Sequence, residues 1–188
     1  MKLSVPYYSQ FVDIEDSFWM LRACGATSLK MVAEFCGATV PDVVTLCNEA
    51  RDRGGYDLEN GWIHDYLVTK AKEFGLEAYR KEGLVDIDEI ISALDAGNPV
   101  IVSVEKRVLE QTRFHMVVIV GYGRNVEEHG SGPEDGVLES STTSHLSPIT
   151  CLHYHEPEST NKEKGQYRTC TQEVLQKYWR GKAIFITK

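Results

Sequence analysis

Two short β-branched runs, Pro99-Val100-Ile101-Val102-Ser103-Val104 and Phe114-His115-Met116-Val117-Val118-Ile119-Val120, constrain this chain more than any other feature. Gly or Pro bounds each run, and apolar stretches of that kind read as buried strands. Upstream of them the period is helical. Leu29, Val32, Phe35 and Cys36 share one face of a helix expected from about Cys24 and stopped by Gly37. A second helix is expected to begin at Pro41, where proline costs little in the first turn, and to end at Gly54-Gly55. A third follows Asn60-Gly61, carries Trp62, Ile63, Tyr66 and Leu67, and stops at Gly75; Asp86 to Ala96 spaces Ile87, Ile90, Ile91 and Leu94 for a fourth. Beyond the second run, Arg124 to Pro148 is polar and rich in Gly, Ser and Glu, and reads as a long hairpin excursion or mobile loop. Cys151 to His155 reads as a strand, Thr171 to Tyr178 as a short helix and Ala183 to Thr187 as a closing strand. Helices followed by a mostly antiparallel sheet make an α+β fold, expected as one domain over 1–188 with a mainly helical half (1–97) and a mainly sheet half (98–188).

A chain of 188 residues buries a sizeable core without metal or disulfide staples. Its 20 Lys+Arg against 28 Asp+Glu give a net charge of −8, which disfavours nucleic acid and anionic membranes as partners. No apolar run approaches the roughly 20 residues of a membrane-spanning helix. Met1 to Gln10 lacks the apolar core of a signal peptide, so a cytoplasmic protein is expected unless a leader has been removed. Five cysteines (Cys24, Cys36, Cys47, Cys151, Cys170) cannot all pair with one another, and no CxxC is present; at least one free thiol is expected. No motif sets the oligomeric state.

Cys24 falls in the first turn of its helix, where unpaired N–H groups and the macrodipole favour thiolate over thiol. Gly25 would let the backbone approach a substrate closely. Taken alone, such a cysteine is also a small buried hydrophobe. His115 interrupts an apolar strand, and burying imidazole there needs a partner. It could serve as general base to Cys24, or be a core histidine bonded to a carbonyl. Glu156, after Tyr154-His155, could accept a hydrogen bond from His115 and fix its tautomer, or be a solvated loop residue. Gln10 offers an amide that, with the Cys24 N–H, could build an oxyanion hole.

Cys151, His153 and His155 alternate, so in a strand they share one face and form a plausible Zn²⁺ ladder, or simply a polar outer face. His64, His129 and His145 are expected at the surface. No metal and no cofactor is assigned.

Val5-Pro6-Tyr7-Tyr8-Ser9-Gln10, Cys24-Gly25-Ala26-Thr27-Ser28-Leu29-Lys30-Met31, His115-Met116-Val117-Val118-Ile119-Val120-Gly121-Tyr122 and Glu156-Pro157, with the closing Tyr178 to Ile184, resemble the bacteriocin-processing (double-glycine leader) cysteine peptidases and their stand-alone relatives. The resemblance implies a papain-like α+β fold and cleavage of a peptide or protein substrate, with Cys24 as nucleophile, His115 as base and Gln10 in the oxyanion hole. Glu156 stands where that family usually carries Asp, and Gln10 lies further before Cys24, so Phe11 to Ala23 must fold back. No transporter segment accompanies these 188 residues, so the double-glycine leader is not carried over as substrate. Peptide hydrolysis, glutamine deamidation and acyl transfer all pass through a thioester and use the same three groups. A silent peptide-binding module on this fold is a further reading.

Overall fold

The computed structural model describes residues 1–83, 86–108, 111–124 and 148–188. The expected excursion over Arg124 to Pro148 therefore lies, from 125 to 147, outside the described residues.

Helix α1 spans Cys24–Phe35 and α2 Val43–Asp52; a two-residue ladder, β1 (Tyr56–Asp57) with β2 (Gly61–Trp62), precedes α3 (His64–Glu73). Next come β3 (Glu77–Glu82), α4 (Ile87–Asp95), β4 (Val100–Val108), β5 (Gln111–Arg124) and β6 (Ile149–His155). The chain closes through α5 (Lys162–Gly165), β7 (Arg168–Cys170), α6 (Gln172–Tyr178) and β8 (Trp179–Thr187). Six strands form one sheet in the order β3-β8-β4-β5-β6-β7, each neighbour antiparallel.

The sheet is covered on both sides, which is why its central strands are apolar without alternation. On one side Leu29 and Val32 of α1, Leu46 of α2 and Leu67 of α3 pack with Ile101, Met116, Val118 and Ile184. On the other, Ile87, Ile90, Ile91 and Leu94 of α4 and Leu175 of α6 pack with Val100, Val102, Val117 and Ile119. The helical half thus supplies one layer whole and shares the other with α6 of the sheet half.

Local chemistry moves two boundaries and adds a strand. Asp42, rather than Pro41, sets the start of α2: its carboxylate accepts from the Thr45 N–H at 3.0 Å, satisfying a first-turn donor, and the helix begins one residue later. Gly61 and Trp62 pair with β1, so α3 starts at His64. Strand β3 is an addition to the expected elements. It reads Glu-Ala-Tyr-Arg-Lys-Glu and joins the sheet edge by pairing with β8 from Glu77↔Thr187 to Glu82↔Lys182. No described helix is long and apolar enough to cross a membrane.

Candidate active site

Helix α1 begins directly from a 3₁₀ turn at Trp19–Leu21, where the Trp19 carbonyl accepts from both Arg22 N (2.8 Å) and Ala23 N (2.9 Å). Buried Trp19 anchors that turn, its indole N–H donating to Asn48 Oδ1 at 2.9 Å. The residue before the helix is Ala23, and no side chain caps the first turn. Positive dipole density there is left for whatever sits at Cys24. Cys24 is 8% exposed and lines a cavity of about 370 Å³ together with His115, Trp62 and Glu158. At Gly25 the requirement the structure shows is packing. A Cβ on it would lie 2.4 Å from the Trp62 ring, so glycine is there to let that indole close over the helix start. Trp62 donates to the Arg22 carbonyl at 2.7 Å, fixing the ring beside Cys24.

His115 sits on β5, 3% exposed, and its Nε2 meets Glu156 Oε1 at 2.5 Å. Nδ1 has no hydrogen-bond partner among the described residues, which leaves it to the thiol. Burial alone would push the His115 pKa down. Cys24 and Glu156 outweigh burial and raise it well above the ordinary 6.5. Burial likewise pushes Glu156 up, but the His115 contact, with Lys106 behind it, wins and lowers the carboxylate overall.

What presents Glu156 is the amino-terminal segment. The Glu156 N–H donates to Gly165 O at 2.9 Å, and its carbonyl accepts from the Tyr7 hydroxyl at 2.7 Å. Gln10 N donates to Pro157 O at 2.9 Å, and Ser9 Oγ to Ser159 O at 2.5 Å. Burial, aided by the Glu156 charge, pushes the Tyr7 hydroxyl up to about 12, so it stays a donor. Gly165 leaves no room for a side chain: a Cβ would fall 1.8 Å from that hydroxyl.

Gln10 is fully buried beside these groups, but its amide is engaged. Nε2 donates to Met20 O at 2.9 Å and to Glu158 Oε1 at 3.4 Å, so both hydrogens are used; the expected free oxyanion donor is occupied in this state. The Met20 contact also shows how Phe11 to Ala23 folds back. Glu158 is the residue sequence reasoning missed. Its side chain is 12% exposed, Oε1 lies 3.8 Å from His115 Nδ1 and Oε2 is bound to Lys106 at 2.6 Å. The available signal was a second acid two positions after Glu156, across Pro157.

The remaining candidates part ways. Among the described residues no three His, Cys, Asp or Glu side chains come together as a metal site, and Cys151, His153 and His155 do not form the alternating ladder. Nor are they a polar outer face, because His155 is fully buried, edge-on to Tyr7 and Tyr167 at 5.3 and 4.7 Å, and burial pushes it down to about 4. His64 is no bystander at the surface; it is half-buried and lines the Cys24 cavity. His129 and His145 lie outside the described residues. All five cysteines are free, and burial pushes Cys36, Cys47 and Cys170 up, keeping them as thiols.

A helix-start thiol facing an imidazole backed by a buried carboxylate can make and break an acyl bond. Fold and site together place the chain among the papain-like cysteine peptidases. Within that class it belongs to the Peptidase_C39 like family, whose profile matches residues 2–181. The chain is similar in structure to the peptidase domain of Streptococcus ComA, a bi-functional ABC transporter of a quorum-sensing pathway, with TM-score 0.55, 18% identity and coverage of 89% of this chain and 92% of that one. It is also similar to a double glycine motif protease from an AMS/PCAT transporter, solved with its leader peptide, with TM-score 0.56, 19% identity and coverage of 100% and 94%. At such identities the likeness is one of fold. A search of curated proteins finds no sequence match to this chain.

Two outcomes follow from this geometry. Gly165→Ala drives Tyr7 off the Glu156 carbonyl; leaving that group unpaired and repacking the contact lowers stability by about 2–4 kcal/mol in denaturant titration. Wild-type stability in that variant contradicts this role for the Tyr7 contact. In an NMR pH titration the His115 ring stays protonated through neutral pH, since a raised folded pKa keeps the cation until pH climbs through it. Glu156→Gln shifts that deprotonation to lower pH, and an unmoved curve refutes the pairing.

Proposed function

We propose that the chain hydrolyses peptide amide bonds through a thioester on Cys24, with His115 as acid and base, Glu156 orienting His115 and Gln10 contributing to the oxyanion hole. The observation that carries this reading is the buried His115–Glu156 contact at 2.5 Å, set beside a thiol at an uncapped helix start. Cys24 sulfur, having given its proton to His115, attacks the scissile carbonyl carbon. The carbonyl oxygen gathers negative charge against the Cys24 N–H and the Gln10 amide. As the C–N bond breaks, the leaving amine takes the proton from His115, and the acyl group remains on sulfur. Water then attacks the thioester, yielding its proton to His115; the carboxylate product departs and the thiolate–imidazolium pair is restored.

Deamidation and acyl transfer share this thioester, and membership of a peptidase family selects hydrolysis between them. The leader peptide held by the AMS/PCAT relative makes a peptide with a Gly-Gly cleavage site the first substrate to test. Glu158 enters the sequence of events as a competitor. Its carboxylate holds a Gln10 hydrogen and stands near the imidazole, so substrate carbonyl and Glu158 cannot both use that donor.

Iodoacetamide near neutral pH should alkylate Cys24 far faster than the other four thiols, read by peptide mass mapping; equal labelling of Cys170 sinks the reading. Cys24→Ala should lose ~10⁴-fold or more in kcat/KM on a Gly-Gly peptide while keeping its denaturation midpoint. Glu158→Ala should raise kcat/KM several-fold by freeing Gln10. A decrease would mean Glu158 assists the reaction instead of competing with it.

A further inference from the structure

The cavity in front of Cys24 carries charge opposite to that of the chain as a whole. Against a net charge of −8, three arginines, Arg22, Arg113 and Arg180, line it. Arg53 and Arg80, elsewhere, each bridge two carboxylates. The cavity arginines hydrogen-bond only neutral oxygens among the described residues: Arg22 to Phe18 O at 3.0 Å, Arg113 to Leu21 O at 3.1 Å, Arg180 to Ser103 Oγ at 3.0 Å. Each guanidinium has five donors, so most remain unspent.

Arg180 is the most constrained of the three. Its guanidinium lies 3.5 Å from the centre of the Phe114 ring, and Ser103, which holds its edge, is 2% exposed. A planar fork fixed on one face and one edge is prepared to meet a carboxylate at little entropic cost. His64 on the same wall records the local field: burial, then Lys182, Arg180 and Arg80, push its imidazole down to about 4. Two acids line the cavity as well, Glu59 and Glu158, and the second is neutralised by Lys106 at 2.6 Å. Positive charge therefore prevails beside the thiol.

We infer that this cleft selects peptides carrying an aspartate or glutamate close to the scissile bond, with Arg180 and Arg113 as the groups that read the carboxylate. The inference rests on the peptidase reading above and adds its substrate class. An acidic side chain gains both charge-assisted hydrogen bonds and attraction in a partly enclosed cavity, whereas lysine is repelled there.

Three peptide vinyl sulfones, identical except for Glu, Gln or Lys beside a Gly-Gly electrophile, test this on the full chain. Intact mass spectrometry follows the rate of adduct formation at Cys24. The glutamate peptide should react at least ~10-fold faster than the lysine peptide, a difference of about 1.4 kcal/mol, with glutamine between them. The contrast should fall to about twofold in Arg180→Gln and in 1 M salt, where charges are screened within about 3 Å. Arg113→Gln, at an exposed position, gives the same reading if Arg180→Gln fails to fold. Equal rates for the three peptides, or a contrast that survives both arginine changes, overturn the inference and leave the peptidase reading standing. If none reacts while iodoacetamide still labels Cys24, the peptide reading fails and this inference falls with it.

Discussion

A carboxylate buried against an imidazole does not stay there by attraction alone, because desolvating both groups costs several kcal/mol and is recovered only when the geometry is fixed and the other lone pairs are satisfied. The chain meets that requirement with its first ten residues. Tyr7, Ser9 and Gln10 are bonded to Glu156, Ser159 and Pro157, so the loop that carries the acid is fastened from outside the sheet. Glu156 Oε1 also accepts from the Glu158 N–H at 2.9 Å, which satisfies a second lone pair. His155, held edge-on between two tyrosines, closes the space beneath.

The sheet turns this local arrangement into a site. Residues His115 and Glu156 are 41 positions apart, yet β5 and β6 pair as neighbours, and Glu156 follows directly on the last residue of β6. Layers of helix on both faces keep β5 rigid, and α1 docks against it so that the start of the helix opens at the cavity. Preorganisation is what such a site needs, since loosening the geometry by an ångström costs far more rate than stability. The Cys24 cavity is walled by Trp62 and three arginines, and Glu156 is not part of its lining.

Much of this was legible in the residues. Helices α1 and α4 announce themselves by apolar spacing and terminal glycines, and β4 and β5 by β-branched runs bounded by Gly or Pro. Cys24, His115 and Glu156 were each ambiguous alone, and it was their order along the chain, with the family resemblance, that singled them out. Strand β3 could not be seen, since an edge strand with a charged sequence carries no burial pattern. Glu158 and His64 were hidden for a related reason: whether a charged or polar side chain is buried depends on partners far away in sequence, here Lys106 and Gln10 for the one and the cavity wall for the other. The Trp62 ring that packs on Gly25 could not be read from the sequence, because a glycine shows only that space is required.

In the proposed reaction Cys24, His115 and Gln10 converge on one reacting carbonyl once Glu158 yields. A crystal structure of the adduct with a Gly-Gly peptide aldehyde tests it most directly. The expected result is a bond from Cys24 sulfur to the aldehyde carbon, its oxygen about 3 Å from both the Cys24 N–H and Gln10 Nε2, and the Glu158 carboxylate turned away. An aldehyde oxygen pointing elsewhere, with Glu158 still holding Gln10, would contradict it.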